Sequence, residues 1–223
     1  PNPRAASLDG AYLDFTRPAC AAFRRHGVGH VVGVSALGRG VSSQAGLVSA
    51  SLAMDDLIAG SGVAYRALAL PSFFDNLLRQ VESIGTQGTF FGPLSGDRRH
   101  PGCTTRDIAA AAVRLLRDRS WSGHGSVPVL GPEDLSFDEM AGIVSRVLGR
   151  TVTYRQIPMD AFRERLLAGG TSTAMAQGMV DMMDAKERGL DDAEPRTAES
   201  SSPTTFRQWC EEVLNPAVLG TTG

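Results

Sequence analysis

The sequence predicts an α/β fold, a parallel sheet flanked by helices and followed by a small, mostly helical C-terminal subdomain. Three observations carry this. Continuous apolar runs at residues 30–35, 63–70 and 127–131 are of the type found in strands covered on both faces. Between them lie longer segments whose apolar residues recur at helical spacing, and strand alternating with helix builds a parallel sheet. From about residue 158 the alternation gives way to helix upon helix. A chain of 223 residues, 42% apolar and 21% charged, can enclose a core of that kind.

In chain order, the first helix spans residues 8–26, where Leu8, Ala11, Tyr12, Phe15, Ala19, Ala22 and Phe23 share a face. Pro18 predicts a kink or a restart within it and Gly27 its stop. The strand at 30–35 passes into small and polar residues at 36–43, and a helix over 45–59 ends at Gly60-Ser61-Gly62. Pro71 stops the strand at 63–70, and Ser72 reads as the N-cap of a helix through Phe73, Leu77, Leu78 and Val81. A glycine-punctuated stretch at 85–102 carries Thr89-Phe90-Phe91 and a charged tip, Asp97-Arg98-Arg99. Thr105 or Asp107 opens a helix running to Arg119. After the strand at 127–131, Ser136 and Glu139 form a capping-box pattern for a helix ended by Gly149. Residues 151–157 alternate like a strand. Helices follow at 159–167, at 173–188 and at 205–214, with an acidic, serine-rich loop at 191–203.

Lys+Arg 22 against Asp+Glu 24 gives a net charge of −2, which excludes a generic polyanion binder, so no nucleic acid is expected. Lys186 is the only lysine and so the only candidate for a Schiff base. Cys20, Cys103 and Cys210 are too far apart and too few for a disulfide framework or a zinc site, and read as reduced thiols. His26, His30, His100 and His124 are scattered without metal spacing. No apolar stretch approaches the ~20 residues that span a bilayer, so the expectation is a cytoplasmic protein with no membrane contact. Asp55-Asp56 reads as a solvated helix face, the 97–100 tip as a charged hairpin, and Met175, Met179, Met182 and Met183 as core or a dimer seam.

Ligands of open parallel sheets bind at the carboxyl ends of the strands. Two such ends stand out. Ser35-Ala36-Leu37-Gly38 has side chains small enough for the backbone to approach a flat ligand, and Leu70-Pro71-Ser72-Phe73-Phe74 leads into Asn76. Each also fits an ordinary strand-to-helix turn.

The order of segments adds to this. It runs HVVGVSALG, a helix ending LIAGSG, then LPSFFDNLL, GCTTRDIAAAAVRLLRD, LGPEDLSFDEMAGIVSRVLGRTVTYRQIP and TTFRQWCEEV. Together these resemble the NmrA-like family of NAD(P)-binding proteins, an atypical branch of the short-chain dehydrogenases/reductases, over residues 5–213. The resemblance implies a Rossmann-like sheet, its remaining part at residues 1–130, and a substrate-side subdomain at 131–223, with 151–157 returning a strand to the sheet. It places Ser35, Ala36 and Leu37 beside the nicotinamide of NADP or NAD, NADP preferred. Pro71, Ser72, Phe73 and Phe74 would close over that ring, and Asn76 would lie near the substrate.

Three departures qualify it. The family's opening strand, GxxGxxG turn and helix are absent, since Gly33, Gly38 and Gly40 end a different strand with different spacing. Pro1-Asn2-Pro3 resembles the stretch after the family's fourth strand. We therefore expect a preceding segment rather than a natural half-protein, because a sheet without its central strands exposes apolar faces. The Tyr-x-x-x-Lys pair of the reductases is replaced by Leu47 and Ser51, and the arginine before the family's proline by Ala69-Leu70. The leading expectation is an NAD(P)H-dependent oxidoreductase acting on a small conjugated acceptor (a quinone, enone or azo compound), with a homodimer as partner. A redox-sensing regulator that binds the dinucleotide without turnover is the second, and a fragment without dinucleotide affinity the third.

Overall fold

The computed structural model describes residues 2–41 and 44–221; Pro1, Thr222 and Gly223 fall outside, as do Ser42 and Ser43 of the polar turn. The elements are α1 (Phe15–Arg25), β1 (His30–Val34), α2 (Leu47–Ala59), β2 (Ala64–Ala69), β3 (Ser72–Phe73), α3 (Val81–Gln87), β4 (Thr89–Gly92) and β5 (His100–Cys103). After them come α4 (Thr105–Arg117), β6 (His124–Pro128), β7 (Asp134–Leu135), α5 (Phe137–Leu148), β8 (Thr153–Gln156), α6 (Met159–Ala168), α7 (Thr173–Glu187), α8 (Phe206–Trp209) and α9 (Asn215–Thr221). The main sheet is parallel in the order β1-β2-β6, with His30 opposite Ala64 and Tyr65 opposite His124. The fold is thus the α/β one that the alternation predicts.

Local chemistry explains most element ends. Pro18 lies within α1, and the chain makes a π-turn at Gly10–Asp14 directly before that helix. Asp14 is the residue whose carbonyl a proline four positions on cannot bond and sterically opposes, and the wider π-turn takes up that defect. Gly27 then stops the helix at φ +64°. Thr104, one residue earlier than expected, caps α4 by accepting from Asp107 N at 3.1 Å. The Ser136/Glu139 capping box is present in full.

Four expectations are corrected. The first strand is not covered on both faces: β1 is the sheet's edge and Val34 is 59% exposed. Ser72 caps no helix; it pairs in β3 with Gly102 of β5, and the turns after it, Phe74–Gln80, are 3-10 before α3 begins. The glycine-punctuated stretch hides two strands. β4 pairs in parallel with β8, so residues 151–157 join β4 rather than the main sheet, while β5 lies between β3 and β7. Finally, β6 begins three residues before the apolar run, since pairing with β2 and not side-chain apolarity sets its start.

The main core joins Phe74, Leu77, Ile84 and Phe90 to Val144, Phe206, Trp209 and Leu214, so the last helices pack on the middle of the chain. Leu68, Leu70, Cys103, Ile108 and Val129 fill the space between α4 and the sheet. Met175 is buried with Ala11, Tyr12, Leu47 and Ala50, and Met179 and Met182 pack around them, so this face of α7 is internal. Among the described residues no helix is long and apolar enough to cross a membrane.

Candidate functional site at the strand ends

The two turns singled out in the sequence lie side by side. Ser35 N donates to Leu68 O at 2.9 Å and Leu37 N to Leu70 O at 3.1 Å, which carries the β1–β2 pairing past the strands into both turns. They share the carboxyl rim of the sheet because parallel strands end on the same side. Their side chains divide. Ala36, Ser72 and Phe73 are half-buried and Asn76 is exposed. Ser35 and Pro71 are buried. Leu37 turns inward onto Ala69 and Leu130, and Phe74 into the aromatic core, edge-on to Phe206 at 4.9 Å. Leu37 therefore has only main chain to offer a ligand on the rim, and Phe74 forms part of the wall behind it.

Beneath this rim lies a polar network that sequence reading took for solvent-facing charge. Asp55 is 2% exposed. It accepts the Ser35 hydroxyl at 2.5 Å and the Tyr65 hydroxyl at 2.7 Å, with Arg39 at 3.5 Å. Asp56 does face solvent and pairs with Arg39 at 2.8 Å. Burial raises the Asp55 carboxyl above the ordinary carboxylate range, partly offset by the two hydroxyls. Burial and the carboxylate beside it push the Tyr65 phenol up as well. The signal for Asp55 was present: spacings of four from Ser51 and three to Ile58 put it on the buried stripe of α2. Gly33 belongs to the same arrangement, because the Tyr65 ring passes where its side chain would stand.

The other candidates are engaged elsewhere. Lys186 is buried and its ammonium is held by Asp191, so it is no free amine. Arg98 pairs with Asp192 at 2.5 Å and Arg99 with Glu139, which ties the charged tip to the protein's own carboxylates. His30 Nε2 lies 2.9 Å from the Trp121 carbonyl. All three cysteines are buried and free.

The chain is 32% identical over 124 residues to an NAD(P)H azoreductase from Xenophilus azovorans, covering 55% of this chain and 42% of that protein. It is 27% identical over 168 residues to quinone oxidoreductase 2 of Escherichia coli (strain K12), covering 74% and 57%. The chain thus spans about half the length of the curated relatives it matches. A crystal structure of an Escherichia coli NADPH-dependent quinone oxidoreductase with NADPH superposes with a TM-score of 0.69 at 23% identity, covering 93% of this chain and 70% of that one. The negative transcriptional regulator Nmra in complex with NAD superposes with a TM-score of 0.58 at 17% identity, covering 92% and 70%. At such identities the superpositions establish a shared Rossmann-type fold. The sequence profile of the NmrA-like family matches residues 61–210, a stretch that runs from the start of β2 to the helix carrying Trp209 and takes up more than half the chain. Fold, segment order and profile agree, and the chain belongs to the NmrA-like family.

Proposed function

We propose that the protein is an NAD(P)H-dependent oxidoreductase acting on a small, flat, conjugated acceptor such as a quinone, enone or azo compound, with NADP the preferred dinucleotide. The observation that carries this reading is the adjacency of the 35–37 and 70–74 turns on one rim. The nicotinamide would supply the hydride when bound. Ser35 fits its carboxamide, because a hydroxyl that has given its proton to Asp55 still has lone pairs to accept an N–H. Ala36 and the main chain of Leu37 would give the ring a shallow wall. Phe73 would cover it and keep water out, and Asn76 would meet the acceptor. Ser35 and Asp55 in series can move a proton at the rim, since the raised Asp55 pKa keeps that carboxyl nearer to protonation at neutral pH. The diphosphate end has no glycine-rich turn to hold it within these 223 residues. The division at about residue 130 into nucleotide and substrate parts belongs to the same reading.

A regulator that binds the dinucleotide without turnover is the second reading. It is favoured by Leu47 and Ser51, both buried, at the positions of the reductases' Tyr and Lys. An intact mass of the natural protein, read first, states whether a segment precedes Pro1. Fluorescence titration with NADPH and NADP⁺ follows, then NADPH consumption with a panel of quinones and azo dyes. Sustained consumption supports the enzyme, and redox-selective binding without consumption supports the regulator. Absence of binding by either dinucleotide overturns both. The homodimer also belongs to this reading, and light scattering checks it. With Met175 buried and Met179 and Met182 packed around it, the exposed apolar positions open to a second copy include the β1 edge at Val34 and the outer face of α4 at Val113 and Leu116.

A further inference from the structure

Sequence spacing puts Phe15, Ala19 and Ala22 on one helical face with Ala11 and Tyr12, but the structure divides that face. Ala11 and Tyr12 are buried, whereas Phe15 is 79% exposed, the highest value for any large apolar side chain among the described residues. The cause is the π-turn at Gly10–Asp14. It takes one residue more per turn than an α-helix, so beyond it the core-facing positions are Thr16, Cys20 and Phe23. Phe15, Pro18 and Ala19 are left in solvent, and Ala22 is half-buried at the end of the same stripe. α1 thus carries a second apolar stripe beside the one it buries. A stripe headed by an exposed aromatic ring has the composition of an interface core rather than of a solvated helix face.

The charges beside the stripe say what fits it. About three helical turns separate Asp14 from Arg25, so the two lie on the same flank of the stripe, one at each end. Both are exposed and neither is held firmly: Asp14 accepts from Arg17 at 3.3 Å, and Arg25 donates to the ring of His26 at 3.2 Å. Exposed contacts of that kind contribute little and exchange partners readily. An apolar stripe with an acid beside its start and a base beside its end is complementary to itself once reversed. The occupant that matches it is a second copy of the same helix.

We propose that the outer face of α1 joins two copies of the protein as an antiparallel helix pair about a twofold axis at Ala19. Phe15 of one copy then lies over the small Ala22 of the other and Asp14 beside the other's Arg25, and symmetry makes each contact twice. The proposal rests on the homodimer of the reading above and says where its seam lies; it needs no dinucleotide. Sedimentation equilibrium across micromolar concentrations should show a monomer–dimer equilibrium. Phe15→Ser should weaken the dimer by about tenfold or more. Asp14→Arg and Arg25→Asp should each weaken it, because like charges then meet across the axis, and the double variant should return to wild-type affinity within a factor of about two. All three positions are exposed, so the circular dichroism of each variant should match wild type. A dimer indifferent to Phe15→Ser, or a double variant no tighter than the singles, overturns the proposal and leaves the homodimer to another face. A monomer at every concentration overturns the proposal and the homodimer together, and leaves the stripe to solvent or to a segment ahead of Pro1.

Discussion

Adding one methyl group at Gly33 should destabilise the protein severely, although alanine in place of a strand glycine ordinarily helps. The Cβ of Gly33→Ala would stand 2.1 Å from the Tyr65 hydroxyl and 2.9 Å from ring carbons Cε2 and Cζ. Tyr65 is 2% exposed and has nowhere to move without releasing Asp55, to which its hydroxyl donates at 2.7 Å. Overpacking costs ~1–3 kcal/mol and a lost hydrogen bond to a buried carboxylate ~1.5–3 kcal/mol, so a total of about 3–5 kcal/mol is expected. Removing glycine's excess unfolded-state freedom offsets only ~0.4–1 kcal/mol of this. Urea denaturation followed by circular dichroism measures it. Tyr65→Phe removes the 2.1 Å contact and leaves the 2.9 Å ones, so Gly33→Ala should cost about 2 kcal/mol less in that background. A single variant within about 1 kcal/mol of wild type, or a double variant additive within ~0.5 kcal/mol, would refute the packing described here.

Asp55 gives a pH dependence of definite sign. Its folded pKa lies above the unfolded value of 3.8, so the stabilisation is complete below 3.8 and is lost as pH rises through the folded pKa. Wild type should therefore gain stability relative to Asp55→Asn as urea midpoints are followed from pH 7 downward; a gain in the opposite direction contradicts the burial of that carboxylate. Ser136→Ala removes the bond its hydroxyl accepts from Glu139 N at 3.1 Å and leaves the one its backbone N–H donates to the Glu139 carboxylate at 2.9 Å. It should lower stability by ~0.5–2 kcal/mol in the same assay, with no change in sheet content by circular dichroism. All three thiols should resist a disulfide reagent at pH 8 until denaturant is added, since all three are buried and burial pushes the Cys103 thiol up to about 12 and raises that of Cys210 as well. Rapid labelling of the native chain would show that one of them is reachable.

Segments that declare themselves through local chemistry were legible. The Ser136/Glu139 box, the Gly27 stop, the core-facing Met175 of α7 and the β-branched β1 all follow from neighbours within a few residues, where capping, periodicity and backbone freedom act. The rim was legible too, because parallel strands joined by crossovers must end on one side. What failed depended on partners distant in the chain. Ser72 looks like a cap, yet Gly102 claims it as a strand residue. Thr89–Gly92 has no strand pattern of its own and becomes one only when β8 arrives from 61 residues or more away.

The sequence by itself determined the α/β alternation, the family and the position of the two turns, since each is written in short-range periodicity and in segment order. Only the tertiary structure decided which charges are buried. Asp55 and Asp56 are adjacent and chemically alike, but α2 turns one onto Ser35 and Tyr65 and the other to water. Asp191 and Asp192 divide in the same way, one held against Lys186 inside and the other meeting Arg98 at the surface. Burial is a property of what packs opposite a residue, and the desolvation that separates each pair arises only once the distant elements have closed over it.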